Sequence, residues 1–161
     1  MDYLWTPWRY RYIAEARNVT GCVFCHLPAA GDDEQSLIVL RGAKNFVILN
    51  RYPYTSGHVM IVPYLHTADF PGLDGATMGE MMQLAQRVQA AIDSIYHPDG
   101  FNLGMNLGRS AGAGIADHLH LHLLPRWAGD TNFMTTVGET RLEPEELSTT
   151  YAKLRGALHL S

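Results

Sequence analysis

Hydrophobic and polar positions alternate strictly over one stretch of the chain, DHLHLHLLPRW, residues 117–127. Side chains of an extended strand point to opposite faces with period two, so His118, His120 and His122 are expected on one face and Leu119, Leu121 and Leu123 on the other. Two further apolar runs, residues 37–40 and 45–49, flank a turn at Gly42 and predict a hairpin. A third strand is expected over residues 58–62, stopped at Pro63. The spacing then changes: between Thr77 and Tyr96, Met78, Met81, Ala85, Val88, Ile92 and Ile95 recur as one helical stripe. HPDG closes this main helix, FNLGMNLG resumes as a strand, and the glycine-rich GRSAGAG leads into the histidine strand. The opening MDYLWTPWRYRYIAEA predicts a short helix ending near Ala16. GCVFCHLP reads as a knuckle, AAGDDEQ as an exposed acidic loop and EPEELSTTYAKLRGALHL as a C-terminal helix.

Strands in the order ββ, β, α, β, β fit an α+β fold: an antiparallel sheet of about five strands with one main helix and a C-terminal helix. The length, 161 residues, suits a single domain over 1–161, with a core at 22–127 between extensions at 1–21 and 128–161. The hydrophobic fraction of 47% and charged fraction of 17% argue against disorder or a fibrous class. No apolar run reaches the roughly 18 residues of a membrane span, so a soluble, cytoplasmic protein without a membrane partner is expected. A formal net charge of −4 speaks against general nucleic-acid binding, which needs a cationic footprint. An anionic ligand must therefore be met by local positive groups.

Three histidines on one strand face admit three readings. One is a solvated face, although such faces normally mix Thr, Lys and Glu rather than repeat one residue type. Another is a catalytic metal chelate, but barrels built on a His-x-His strand need a far longer chain. The third is nucleophilic: a neutral imidazole attacks phosphorus while a neighbour assists what leaves. An ordinary pKa near 6.5 leaves much of the imidazole neutral at cellular pH, and the rate should fall as His120 becomes cationic. Phosphate-binding groups are needed close by, and GMNLGRSAGAG supplies them. Its glycines permit close backbone approach, and Asn106, Arg109, Ser110 and Gly112 are the candidate contacts.

HLHLHLLPR resembles the signature of the histidine triad (HIT) superfamily, and NRYPYTSGHVMIVP resembles its other recognisable segment. Together with the intervening helix the resemblance spans about Cys22 to Trp127. LWTPWRYRYI, NLGRSAGAGIADH and the trailing PRW look most like the dinucleoside polyphosphate phosphorylases and hydrolases, the ATP adenylyltransferase-like branch. The resemblance implies an α+β fold, a homodimer or higher homo-oligomer, and cleavage of diadenosine polyphosphates at the α-phosphate through a nucleotidyl-histidine intermediate. AMP would be one product. By position His120 would be the nucleophile and His122 would contact the phosphate or leaving group. Asn50 would contact ribose hydroxyls, and Phe46 and Ile48 would wall a base pocket or pack the core. Where relatives often carry Gln and Ser or Thr before the first histidine, this chain has Gly114, Ile115, Ala116 and Asp117. Adenosine phosphoramidase chemistry and a non-catalytic nucleotide sensor are the alternatives.

The only cysteines, Cys22 and Cys25, form a Cys-x-x-Cys that suggests a metal site or redox pair. No thioredoxin-like βαβ pattern surrounds them. His26, His58, His66, His97 and His118 could complete a zinc site. Zinc-bearing members of the resembled superfamily imply Cys22, Cys25, His66 and His118, four ligands that would make the Zn2+ structural. Trp5 and Trp8, beside Arg9 and Arg11, would stack on a base or pack onto the core or a second subunit. Arg126 would contact phosphate or be solvated.

Overall fold

The computed structural model describes residues 21–131 and 145–159. The readings of the opening segment, its short helix, Trp5, Trp8, Arg9 and Arg11, lie outside the described residues. In chain order the elements are α1 (Val23–Ala29), α2 (Asp33–Ser36), β1 (Ile38–Arg41), β2 (Asn45–Leu49), β3 (Val59–Pro63), α3 (Gly75–Tyr96), β4 (Gly100–Gly104), a 3-10 turn (Arg109–Ala111), β5 (Leu121–Arg126) and α4 (Leu147–His159). The five strands form one sheet in the order β1-β2-β3-β5-β4, with every neighbouring pair antiparallel. The expected α+β architecture is therefore the observed one.

Period-two alternation divides the sheet into two faces. On one, Val47, Leu49, Val59, Ile61, Leu119, Leu121 and Leu123 meet Met81, Leu84, Val88 and Ile92 of α3 and Leu154 and Leu158 of α4. Leu123 is almost wholly enclosed there, so truncating it to alanine costs about 2–5 kcal/mol. On the other face, Ile38, Phe46, Ile48, Met60 and Val62 pack with Phe24 of α1. This face carries the three histidines of the alternating stretch.

Local chemistry sets the element ends. Asp74 caps α3, accepting from the amides of Ala76 (3.1 Å) and Thr77 (3.0 Å), so the helix begins at Gly75 rather than at Thr77. It ends where His97 turns left-handed at φ 45°. Glu80, on α3, clasps the β1–β2 turn. It accepts from the backbone amides of Ala43 (2.7 Å), Lys44 (2.7 Å) and Asn45 (2.8 Å) and from Asn45 Nδ2 (2.8 Å). Burial opposes its ionisation, but these bonds outweigh that cost and hold the carboxyl below its usual pKa. The clasp also explains Gly42, whose added Cβ would lie 2.9 Å from Glu80 Cδ.

Three local expectations are corrected. The stretch read as an acidic loop contains α2: Asp32 caps it through the Gln35 amide (3.0 Å), and Asp33 pairs with Arg41 at 2.8 Å. The knuckle continues as α1 with Pro28 inside it. The histidine strand joins the regular ladder only from Leu121. Beyond the Ile61–Leu121 pair the Leu119 amide turns to the Thr67 carbonyl (2.8 Å), because Pro63 ends β3.

Candidate active site and metal cluster

Two chain-distant segments meet the cysteine pair. Cys22 caps the start of α1 and Cys25 lies one turn further, while His66 follows β3 and His118 leads into β5. Their four donor atoms lie within 4.8 Å of one another. The Nδ1 atom of His118 is 3.2 Å from Cys22 Sγ, 3.7 Å from Cys25 Sγ and 3.2 Å from His66 Nδ1, and His66 Nδ1 is 3.4 Å from Cys25 Sγ. Ligands held at about 2.0–2.3 Å around tetrahedral zinc are roughly 3.3–3.8 Å apart, so the residues fit that ion. The ring orientation agrees. His118 Nε2–H donates to the Pro63 carbonyl at 2.8 Å, leaving Nδ1 as the bare nitrogen turned to the cluster.

The next histidine is oriented by the first. His120 Nδ1–H donates to the His118 carbonyl at 2.8 Å, so its lone pair is on Nε2. Phe24 of α1 packs against both rings, with centroids 5.5 Å from His118 and 5.2 Å from His120. Burial pushes the His120 pKa below its ordinary value despite the bond to the carbonyl. The neutral, nucleophilic form is thereby favoured.

His122 belongs to a second relay. The Tyr54 amide donates to His58 Nδ1 at 3.1 Å, and His58 Nε2 is 2.9 Å from His122 Nδ1. An amide can only donate, so neutral His58 carries its proton on Nε2 and gives it to His122 Nδ1. Neutral His122 then presents Nε2–H as a donor. Burial, followed by the proximity of His120, brings its pKa down to about 4. The rings of His120 and His122 lie edge to face with centroids 4.9 Å apart. His58 is 1% exposed and entered the sequence reading only as one possible metal ligand. Its place just before β3, beside the histidine strand, depends on the pairing of Met60 with His122, a register that residue types alone do not reveal.

Both relays open on one cavity of ≈ 170 Å³ that is open to solvent on one side. Val23, Phe24, Leu27, Leu37 and Ile48 supply apolar wall, and Asn50, Asn106, Gly112, His120 and His122 supply polar lining. Asn50 closes a tight turn, accepting from the Tyr52 amide at 3.0 Å through Oδ1. Of the residues singled out in the sequence, Phe46 does not line this cavity. It is fully buried beneath it against Tyr64, with ring centroids 5.2 Å apart. Arg109 and Ser110 are exposed on the 3-10 turn, outside the lining, although Asn106 and Gly112 on either side belong to it. Arg126 is committed to Asp130 and to Asn102 Oδ1 (2.7 Å). Phe24 was missed because a phenylalanine between two cysteines carries no sign of the face it will turn to the histidines.

Comparison with known proteins agrees with this geometry. The HIT domain profile matches residues 32–129. A protein of Mycobacterium tuberculosis called AP-4-A phosphorylase is 40% identical over 158 residues, covering 93% of this chain and 80% of its own length. A crystal structure of a zinc-bound histidine triad family protein from Mycobacterium smegmatis superposes with a TM-score of 0.71 at 29% identity, covering 87% of this chain and 94% of that one. A hypothetical histidine triad nucleotide-binding protein from Sulfolobus tokodaii gives 0.69 at 28% identity, with 86% and 93% covered. A profile spanning more than half of the chain, and a relative alike over nearly all of it, leave one assignment: the chain belongs to the histidine triad (HIT) family.

Proposed function

We propose that this protein is a nucleotidyl transferase that cleaves diadenosine polyphosphates, diadenosine tetraphosphate foremost, at the α-phosphate through an adenylyl intermediate on His120. The observation that carries the reading is the His120 Nδ1–H bond to the His118 carbonyl, which directs the Nε2 lone pair to the reacting phosphorus. Nε2 forms a bond to the α-phosphorus, the bond to the bridging oxygen breaks, and ATP leaves with that electron pair. His122 Nε2–H donates to the departing oxygen. An acceptor oxygen then takes the adenylyl group, the N–P bond breaks, and the lone pair returns to His120. Inorganic phosphate as acceptor gives ADP, and water gives AMP. Likeness to a protein named for phosphorolysis supports phosphate.

Asn50 serves as the ribose contact, and Ile48 with Val23, Phe24, Leu27 and Leu37 walls the base; Asn106 and Gly112 face the phosphates. Cys22, Cys25, His66 and His118 hold a structural zinc, which when bound fixes α1 against the histidine strand. The reading includes a homodimer or higher homo-oligomer, a cytoplasmic setting and a single domain over the chain.

Incubation with diadenosine tetraphosphate, with and without inorganic phosphate, tests the reaction. ADP and ATP are expected with phosphate, and His120→Ala should lower turnover at least about a thousandfold. AMP in both buffers would make the enzyme a hydrolase. Absence of turnover in either, with nucleotide still bound, would favour the sensor.

A further inference from the structure

The cavity has an uneven distribution of charge. Of its described lining residues, Arg51 is the only arginine, lysine, aspartate or glutamate. Every other lining side chain is apolar, neutral and polar, or histidine. Arg51 is exposed, so it occupies the solvent edge of the cavity rather than its floor. It forms no ion pair with any described acidic residue.

Of the other cations near this half of the sheet, Arg109 is exposed outside the lining and two arginines are already committed. Arg126 is held by Asp130 and Asn102, and Arg41 by Asp33 and the Pro28 carbonyl (2.9 Å). The backbone around Arg51 is held as well. Asn50 donates its amide to the His58 carbonyl at 2.9 Å, and its Oδ1 receives the Tyr52 amide at 3.0 Å. The guanidinium therefore extends from a turn whose flanking residues are tied to the site, one residue after Asn50 and on the same loop as His58.

A chain with a formal net charge of −4 offers a polyanion no net attraction. The nucleoside and α-phosphate of a dinucleoside polyphosphate need the apolar wall and His120. The remaining phosphates, with most of the negative charge, need a cation at the edge. We propose that Arg51 is the specificity-determining residue for the polyphosphate, engaging the phosphates beyond the α-phosphate and so favouring dinucleoside polyphosphates over mononucleotides. The proposal rests on the nucleotide reading above. A guanidinium suits the task because its donors pair with two phosphate oxygens at once.

The test combines steady-state rates on diadenosine tetraphosphate with calorimetric binding of AMP, for the unaltered protein, Arg51→Ala and Arg51→Lys. Arg51→Ala should raise KM for the tetraphosphate about tenfold and flatten its dependence on salt, with kcat within about threefold. AMP affinity should stay within about threefold, Tm should not move because the side chain is exposed, and Arg51→Lys should recover much of the KM. Equal weakening of AMP and tetraphosphate, or no change in either, overturns the role of Arg51 while leaving the nucleotide reading intact. Failure of the unaltered protein both to bind AMP and to turn over the tetraphosphate overturns the nucleotide reading itself, and the proposal with it.

Discussion

Each histidine of the alternating stretch has both ring nitrogens, or the one that matters, accounted for by a neighbour. His118 donates through Nε2 and faces the cysteines through Nδ1, His120 donates through Nδ1, and His122 receives His58 at Nδ1. This has a measurable consequence. The sequence alone leads to an acid limb near the ordinary imidazole value of 6.5, but burial lowers both His120 and His122, the latter to about 4. Protonation removes the lone pair of His120, so activity is lost below its folded pKa and retained above it. A profile of kcat/KM should therefore have its acid limb below 6.5, displaced toward lower pH by the burial of His120. A limb centred at 6.5 would show that these rings are solvated. Stability carries the same sign. Between 6.5 and about 4 the unfolded chain binds a proton at His122 that the folded chain does not, so Tm should decline with acidification across that window. The roles along the stretch were legible from its alternation and family resemblance. The partners His58 and Phe24 were not, because each is brought in by a packing contact rather than by spacing.

At the scale of elements, α1 stands between the metal cluster and the cavity. Cys22 and Cys25 turn to His66 and His118, while Val23, Phe24 and Leu27 line the opposite side. A helix of seven residues has little stability of its own in water, so it depends on these anchors. Replacing Cys22 by serine, or His66 by alanine, should abolish zinc measured by elemental analysis and lower Tm by roughly 10 °C. Nucleotide affinity should fall as well, through displacement of the apolar wall. An unaltered protein purified without zinc and with both thiols reactive would defeat the metal proposal. The strands and main helix were well marked because their periods, 2 and 3.6, persist over many residues. The short helices α1 and α2 were hidden: neither is long enough to complete a periodic pattern, and capping by Asp32 turned an apparently solvated acidic loop into a helical turn.

Across the whole molecule, β1 and β4 are the sheet edges. Among the described residues no strand pairs with the outer side of β4, and Leu103 on that strand is 47% exposed. An unpaired edge strand without charged residues of its own is a surface that pairs readily with another chain, consistent with the proposed homodimer. Sedimentation should give twice the chain mass, and Leu103→Lys should shift the population toward monomer; a monomer at all concentrations would refute the assembly. The sheet order was inaccessible to sequence reading because β5, the last of the described strands, inserts between β3 and β4. The alternation that first marked the histidines separates two evolutionary fates. Leu119, Leu121 and Leu123 tie the reactive rings to the largest core, whereas the apolar wall comes largely from α1 and the turn after α2. Changes at Val23, Leu27 or Leu37 can thus redraw which base is accepted without loosening the nucleophile, leaving preference free to drift while the reaction endures.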